Sequence, residues 1–285
     1  MEPKPKTNPL FYIIFIGVLL YALLTLWPKI KRDVNEGVQT PAQSTSITTE
    51  APAILVDENL FESIKVQEEG PYTLVDFSYP RFKDLGTVYN LKIENKYRDF
   101  IKEHAQISEE NFKARLDTMT EEEKKYYTPS IKKEDKFPAQ GTFQVVQANP
   151  QFISVLFTLS AYQGGAHGFQ ISETFNYDVQ NKKELSLVDV LSVNNKTLDF
   201  VSEESRKQLL QEFLPQVPYQ KLWKDIVFDG EEDMFFAETL YTGTEPKKDN
   251  FAVFTFTPQT ITIYFQQYQV GPYVIGSPMV TISRI

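Results

Sequence analysis

The pattern of apolar and polar positions begins with one long apolar run near the start of the chain. Residues 10–27 (LFYIIFIGVLLYALLTLW) are uncharged throughout. As a helix rising 1.5 Å per residue, this run would be about 27 Å long, close to the hydrocarbon thickness of a bilayer. Trp27 and the bases that follow it suit the headgroup region. The run therefore predicts a transmembrane anchor, with a cleaved signal peptide or a buried core helix as the alternatives.

A polar segment separates this run from the rest of the chain. Residues 33–56 are rich in Thr, Ser, Gln, Pro and Ala and show little periodicity, which is the composition of a flexible spacer. We expect residues 1–9 to form a short cytoplasmic tail, residues 10–27 the anchor and residues 28–57 a linker. The bases on the two sides of the anchor are nearly balanced, so they do not fix its orientation. The spacer favours a single-pass protein of the cell membrane with its carboxyl-terminal domain outside the cytoplasm.

The first half of the remaining chain predicts one strand followed by two helices. Residues 74–79 partly alternate between apolar and polar, and Pro80 should end this strand because proline cannot continue a sheet ladder. Apolar side chains then recur at helical spacing over residues 93–101 and again over residues 112–119. Ser108 suits a cap between these runs, so we expect two separate amphipathic helices.

The second half is richer in strands. Two strands are predicted over residues 142–162, with an Asn-Pro turn pair between them, and a third over residues 169–179. A helix from Leu198 is stopped by prolines, and three short strands follow within residues 251–283. Strands joined mostly by hairpins, with helices between the groups, predict an α+β fold in which helices pack on an antiparallel sheet.

The composition excludes several kinds of site and partner. The chain has no cysteine, which rules out disulfides, thiolate zinc sites and cysteine nucleophiles. Its formal net charge is −9, and residues 1–32 hold five of its 29 bases and one of its 38 acids. The remainder, with 24 bases and 37 acids, therefore carries −13. This charge argues against nucleic acid as a partner and would steer a cationic partner toward the domain.

Motifs for catalysis are scarce in this sequence. The chain has only two histidines, His104 and His167, and no HExxH, GxSxG, Walker or Rossmann motif. Acidic side chains alternate over residues 229–233, but Leu240 stands where a twelfth calcium ligand would be, which leaves an exposed turn or an irregular calcium site. We predict no catalytic residue, no metal site and no cofactor, and we expect that the protein is not an enzyme. A carboxylate pair of the glycosidase type stays open, since its separation is spatial.

One segment between two predicted strands combines a histidine with several glycines. It runs from Tyr162 through Gly164, Gly165 and His167 to Gly168. The glycines can adopt positive φ or allow another backbone to approach closely. His167 either bonds a neighbouring carbonyl in a tight connection or contacts a ligand.

The tail of the chain is unusually rich in tyrosine. Tyr264, Tyr268 and Tyr273 offer apolar area together with a hydroxyl, which suits either the edge of a core or a recognition surface. If several are exposed together, they are the best candidates for a binding surface. The candidate ligand-binding residues are therefore Tyr162, Gly164, Gly165, His167, Gly168, Tyr264, Tyr268 and Tyr273.

These two segments in combination resemble a known extracytoplasmic domain. Residues 152–191, with SVLFTLSAYQGGAHG and FNYDVQNKKELSLVDVL, and residues 251–283, with FTPQTITIYFQQYQVGPYVIGSPMVTIS, are similar to the extracytoplasmic domain of RsiV-type anti-sigma factors. They also resemble the region before the catalytic domain of PdaC-type peptidoglycan deacetylases. Residues 72–105, with FSYPRF and the following helix, resemble the first half of that region. The resemblance implies a first part over residues 58–165 and a carboxyl-terminal part over residues 166–285.

The resemblance also implies a function, since the domain in RsiV binds lysozyme. An acidic domain suits a basic lysozyme. About nine residues before the anchor are too few to hold a sigma factor, so an anti-sigma role is not expected, and neither is a deacetylase catalytic domain. We expect a membrane-anchored binding module of the cell envelope that contacts a lysozyme-like protein or peptidoglycan. The alternatives are a glycan-acting enzyme with a carboxylate pair and a structural envelope protein.

Overall fold

The computed structural model describes residues 55–83, 85–127, 136–164, 166–213 and 231–284. The predicted tail and anchor, and all but the end of the predicted linker, lie outside these ranges. None of the described helices is both long enough and apolar enough to cross a membrane.

The described residues form two β-sheets and a set of helices. Strands β1 to β6 lie side by side in that order in the larger sheet, and β7, β8 and β9 form the smaller one. The strands are β1 (Phe61–Glu69), β2 (Thr73–Phe82), β3 (Phe137–Ala148), β4 (Phe152–Ala161), β5 (Phe169–Asp178), β6 (Lys183–Glu184), β7 (Phe254–Phe256), β8 (Thr260–Tyr264) and β9 (Met279–Ser283). The α-helices are α1 (Thr87–Asp117), α2 (Glu121–Tyr127), α3 (Leu187–Ser192), α4 (Leu198–Phe213) and α5 (Glu231–Gly243).

Strand pairing in the large sheet is antiparallel at every step but one. Strands β2 and β3 pair in parallel, over residues 73–77 and 137–141, whereas the other neighbours are antiparallel. A parallel pair needs a crossover connection, and α1 lies in this one. The predicted α+β class, with helices and a large sheet, is confirmed. The prediction of a purely antiparallel sheet is corrected at this pair.

Helix α1 covers one face of the large sheet with aromatic side chains. The ring of Tyr97 lies edge-on to Phe77 at 5.3 Å and edge-on to Phe157 at 5.6 Å between centroids. Tyr97, Phe77 and Phe157 are almost completely buried. Gly141 leaves room for these rings, because a Cβ at this position would lie 2.1 Å from Cδ1 of Phe77 on β2 and 2.9 Å from Cε1 of Tyr97 on the helix. The core on this face is therefore close-packed around a glycine.

The smaller sheet lies against the other face of β4 and β5, where buried polar side chains connect the sheets. The Ser154 hydroxyl donates to Oδ1 of Asn176 at 2.7 Å, and Nδ2 of Asn176 donates to the Phe254 carbonyl, also at 2.7 Å. The amide of Phe256 donates to Oγ of Ser154 at 3.1 Å. These bonds fix the position of β7, and hence of the tail that follows it, on the large sheet.

Two sequence-based boundaries differ from the structure. The two helices predicted around Ser108 are one helix, α1, and Ser108 is buried inside it with Oγ 3.4 Å from Nε2 of His104. Strand β2 continues through Pro80 to Phe82. Because β3 pairs with β2 only as far as Phe77, Pro80 lies in a stretch with an unpaired edge, where a missing N–H is tolerated.

Candidate functional site

The glycine-rich segment forms the connection from β4 to β5. Gly164 has a φ of +86°, and a Cβ there would lie 3.0 Å from Cζ of Phe137. A Cβ at Gly168 would lie 3.0 Å from the carbonyl oxygen of Ala161. The left-handed backbone favours glycine at Gly164, and at Gly168 a side chain would crowd the backbone of β4. Gly165, the third candidate glycine, lies outside the described residues.

The tyrosine-rich tail contains a turn at residues 266–269, within the connection from β8 to β9 at residues 265–278. Tyr268 has a φ of +66°, in the left-handed region that bulky residues rarely occupy. This conformation costs about 1–2 kcal/mol for a residue with a Cβ. Such strain persists only where surrounding contacts hold it, and it concentrates at functional sites.

Three glutamine side chains secure this turn. Gln266 accepts from the Ser172 amide at 3.1 Å and donates to the Ser172 carbonyl at 2.6 Å, so it binds β5 as another strand would. Gln267 accepts from the amide of Gln170 at 3.2 Å. The side-chain amide of Gln269 donates to the carbonyl of Gly243 at 3.1 Å, at the end of α5. The strained turn is thus tied to the large sheet on one side and to a helix on the other.

His167, Tyr268 and Tyr273 meet where this turn reaches the glycine-rich segment, and we call these three residues the aromatic patch. The rings of His167 and Tyr273 stack with centroids 4.0 Å apart and planes 26° apart. The rings of Tyr268 and Tyr273 lie 5.7 Å apart. The Tyr273 hydroxyl donates to the carbonyl of Gly168 at 3.1 Å, which Nδ1 of His167 also contacts at 3.0 Å. The patch is therefore ordered by its own contacts and by the glycine-rich backbone.

The aromatic patch borders an open groove. Tyr268 has 53% of its surface exposed, and Tyr162, which lines the groove, has 38%. The groove has a volume of about 340 Å³, and its lining includes Tyr162, Gly168, Tyr273, Gln140, Gln170 and Gln267. Exposed rings beside amide side chains offer apolar faces together with hydrogen-bond donors and acceptors.

The structure separates Tyr264 from the other predicted site residues. It lies on β8, its hydroxyl is 3.1 Å from Oγ1 of Thr255, and burial raises the pKa of its phenol. Tyr162, Gly164, His167, Gly168, Tyr268 and Tyr273 all lie in or beside the groove and its bordering connection.

The amide residues of the groove were not predicted from the sequence. Gln140, Gln170 and Gln267 are ordinary exposed or half-exposed glutamines, and nothing in their local sequence distinguishes them. The available signal was the alternation of polar residues along β3 and β5, which predicts one polar face for each strand. It could not show that these faces lie next to the tyrosine-rich turn.

A second hollow lies between α1, β5 and the segment before β7. It has a volume of about 290 Å³ and includes Lys92, Lys96, Glu184 and Lys248 in its lining. Lys92 forms an ion pair with Glu184, and Lys96 with Glu173. Within the described ranges, no group of three or more His, Asp or Glu side chains is placed to hold a metal ion. The acidic segment at residues 229–233 lies only partly within these ranges, with α5 starting at Glu231.

Two family models match separate parts of the chain. Residues 66–170 match a family described as deacetylase PdaC, and residues 188–284 match a family described as a protein of unknown function, DUF3298. A curated protein of Bacillus subtilis strain 168, named peptidoglycan-N-acetylmuramic acid deacetylase PdaC, is 30% identical to this chain over 142 residues. These residues are 50% of this chain and 27% of that protein, so the chain spans about a quarter of its relative's length.

Two solved structures of the DUF3298 family are similar to the chain. One, from Bacteroides fragilis, is 20% identical with a TM-score of 0.49, and the match covers 78% of this chain and 89% of that one. The other, from Pseudomonas aeruginosa, is 15% identical with a TM-score of 0.46, and the match covers 78% of this chain and 90% of that one.

The sequence matches correct our expectation that the protein is not an enzyme. One matched family is described as a deacetylase, and the curated relative is named as a deacetylase that acts on peptidoglycan. The resemblance to PdaC-type deacetylases that the sequence indicated is supported over residues 66–170, but we assigned it to a region without catalytic residues. Activity on a glycan is therefore a function for which this chain has to be tested.

Proposed function

We propose that this chain is an extracytoplasmic protein of the cell envelope and that its aromatic patch binds the glycan of peptidoglycan. The observation that carries the proposal is Tyr268, which is half-exposed in a strained left-handed conformation next to the stacked His167 and Tyr273. Folding alone gains nothing from exposing a strained aromatic residue, whereas a ligand-binding surface does.

The chemistry of a sugar ring suits this arrangement. A pyranose presents C–H groups on its faces, which pack on aromatic rings, and hydroxyl or acetamido groups at its edge, which need hydrogen-bond partners. The aromatic patch supplies the rings, and Gln170 and Gln267 stand beside it in the same groove. The name of the curated relative supports peptidoglycan as the source of such a glycan.

The location that we propose follows from the amino-terminal sequence. Residues 10–27 would anchor the chain in the cell membrane, and residues 28–57 would hold the domain away from the lipid, outside the cytoplasm. We keep the division into parts at residues 58–165 and 166–285 as part of this proposal. Strands β4 and β5, on either side of that division, pair along their whole length.

The test is co-sedimentation of the full-length protein, purified in mild detergent, with isolated peptidoglycan. We expect binding of the wild type and a loss of about fivefold or more for Tyr273→Ala, because truncating a packed aromatic contact at a binding surface costs more than about 1 kcal/mol. Tyr264→Phe is the matched control and should bind as the wild type does. Acetate released from the same peptidoglycan reports whether the bound glycan is also deacetylated. Equal binding by Tyr273→Ala and the wild type would refute the proposal.

A lysozyme-like protein is the second candidate partner. The observation that favours it is the charge of −13 carried by the chain beyond residue 32, with 24 bases and 37 acids. A basic partner would be attracted to a chain of this net charge, and its binding should weaken as ionic strength rises. Capture of a basic lysozyme that is insensitive to Tyr273→Ala would place that partner elsewhere on the domain.

A further inference from the structure

A row of polar side chains crosses the large sheet and ends at the aromatic patch. In the strand register, Gln67 of β1 is opposite Asp76 of β2, and Asp76 is opposite Gln140 of β3. Gln140 is opposite Ser160 of β4, and Ser160 is opposite Gln170 of β5. Directly opposed residues point to the same face of a sheet, so these five side chains form one transverse row.

The row continues from the sheet into the turn that carries Tyr268. The backbone N–H of Gln170 donates to Oε1 of the Gln267 side chain at 3.2 Å, and Gln267 is the residue directly before Tyr268. With strands about 4.8 Å apart, the row from β1 to β5 is roughly 19 Å long. Gln67, Asp76, Gln140 and Gln170 are exposed and Ser160 is half-buried, so the row lies at the surface.

Two grooves meet along this row. The groove beside the aromatic patch includes Gln140, Ser160, Gln170 and Gln267 in its lining. A second groove of about 430 Å³ includes Gln67, Asp76 and Gln140, together with Glu68 and Glu69 at its β1 end. Pro138 and Gln140 belong to both grooves, so the two grooves adjoin at β3. Every member of the row lines one of the two grooves.

The chemistry of the row is mostly uncharged. Its five members and Gln267 together are four glutamines, one serine and one aspartate, and Asp76 has Lys65 at 3.7 Å as a counter-charge. Amide and hydroxyl side chains can donate and accept, which matches the hydroxyl and acetamido groups of an N-acetylated glycan. A strongly anionic polymer would find no cationic row here, and a small ligand would use only one end.

From this register we infer that the sheet face binds an extended, uncharged N-acetylhexosamine chain of several sugars, which runs from the aromatic patch across β5, β4, β3 and β2. This inference rests on the proposed function, because it assigns further sugars to the same site. The aromatic patch stacks on the sugars at one end, and the polar row holds those that follow.

The test is titration calorimetry of the full-length protein with oligomers of N-acetylglucosamine, from the disaccharide to the hexasaccharide. We expect the affinity to rise with length. Gln140→Ala should lower the affinity for the hexasaccharide by about three- to tenfold, the range for one or two lost hydrogen bonds, and leave that for the disaccharide unchanged. Gln144→Ala is the matched control, since Gln144 is an exposed glutamine on the same strand outside both grooves, and it should not change either affinity.

The outcomes separate this inference from the proposed function. If the hexasaccharide binds no more tightly than the disaccharide, or if Gln140→Ala and Gln144→Ala behave alike, the polar row does not bind sugars. The aromatic patch could then still bind a short glycan, as Tyr273→Ala would show. If oligomers of every length fail to bind and peptidoglycan is not sedimented with the protein, the proposed function and this inference both fail.

Discussion

At the scale of single residues, the site combines residue types that the sequence reveals with others that it does not. Gly164, His167 and Tyr268 were identifiable because glycine, histidine and clustered tyrosine have few ordinary uses in a loop. The left-handed conformation of Tyr268 could not be predicted, since it depends on glutamine contacts to β5 and α5 that are distant in sequence. Tyr264 lies apart from Tyr268 on β8, because neighbours in sequence need not share a surface.

Backbone strain at Tyr268 predicts that two substitutions there differ in stability although both weaken binding. In Tyr268→Gly the left-handed conformation costs nothing, whereas in Tyr268→Ala the strain stays. Both variants lose the same ring, so Tyr268→Gly should be more stable than Tyr268→Ala, by up to about 1 kcal/mol after allowing for the backbone entropy of glycine. Both should bind peptidoglycan more weakly than the wild type. Urea unfolding measures the first effect, and a less stable glycine variant would contradict the assigned conformation.

The buried His104 predicts a loss of stability on mild acidification. Its Nε2 is 3.2 Å from the Phe137 carbonyl oxygen, and burial lowers its pKa, an effect that this backbone contact partly offsets. In the unfolded chain this histidine has an ordinary pKa of about 6.5. Between that pKa and the lower pKa of the folded state, the unfolded chain therefore binds a proton more readily than the folded chain does. The contribution of the neutral imidazole to folding stability is fully present above about pH 6.5, and it is lost as the pH falls toward the lower pKa that His104 has in the folded state.

The measurement is urea unfolding at about pH 7.5 and about pH 5.5. The difference in unfolding free energy between these pH values should shrink in His104→Asn. It should persist in Gln106→Asn, a control on the exposed surface of the same helix. An unchanged pH difference in His104→Asn would show that this imidazole does not carry the effect.

At the scale of the elements, periodicity identified most strands, whereas their partners came from packing. The runs over residues 142–162 and 169–179 appear as β3, β4 and β5 with the predicted turn between the first two. The parallel pairing of β2 with β3 was not predictable, because it depends on α1 crossing between them as a single helix. A serine that could serve as a cap, Ser108, suggested an interruption, but its burial against β3 by way of His104 overrides the local preference.

The close contact of α1 with the sheet predicts an intolerant glycine. In Gly141→Ala the new methyl would lie 2.1 Å from Cδ1 of Phe77 and 2.9 Å from Cε1 of Tyr97. Overpacking of this kind costs about 1–3 kcal/mol. Gly86→Ala is the comparison, because its Cβ would meet no atom within 4 Å and only its φ of +80° is unfavourable. Thermal unfolding should show a larger loss of stability for Gly141→Ala than for Gly86→Ala. Equal losses of stability would mean that the helix and the sheet can move apart at little cost.

At the scale of the whole molecule, the proposed binding surface depends on how the two sheets meet. Buried Ser154 and Asn176 hold β7 against the large sheet, and this places the tyrosine-rich turn beside the β4–β5 connection. Two segments about 100 residues apart in sequence thereby form one surface. The sequence alone could nominate each segment, but their joining depends on polar contacts between sheets that have no local signature.

The most direct test of the aromatic patch as a glycan-binding surface is hydrogen–deuterium exchange of the full-length protein with and without the hexasaccharide of N-acetylglucosamine. Slower exchange should appear in the peptides that contain His167 and Tyr268, and in the peptide of β3 that contains Gln140. Peptides with Lys92 and Lys248, beside the lysine-lined hollow, should exchange as before. Protection at that hollow, with none at His167 and Tyr268, would contradict the account.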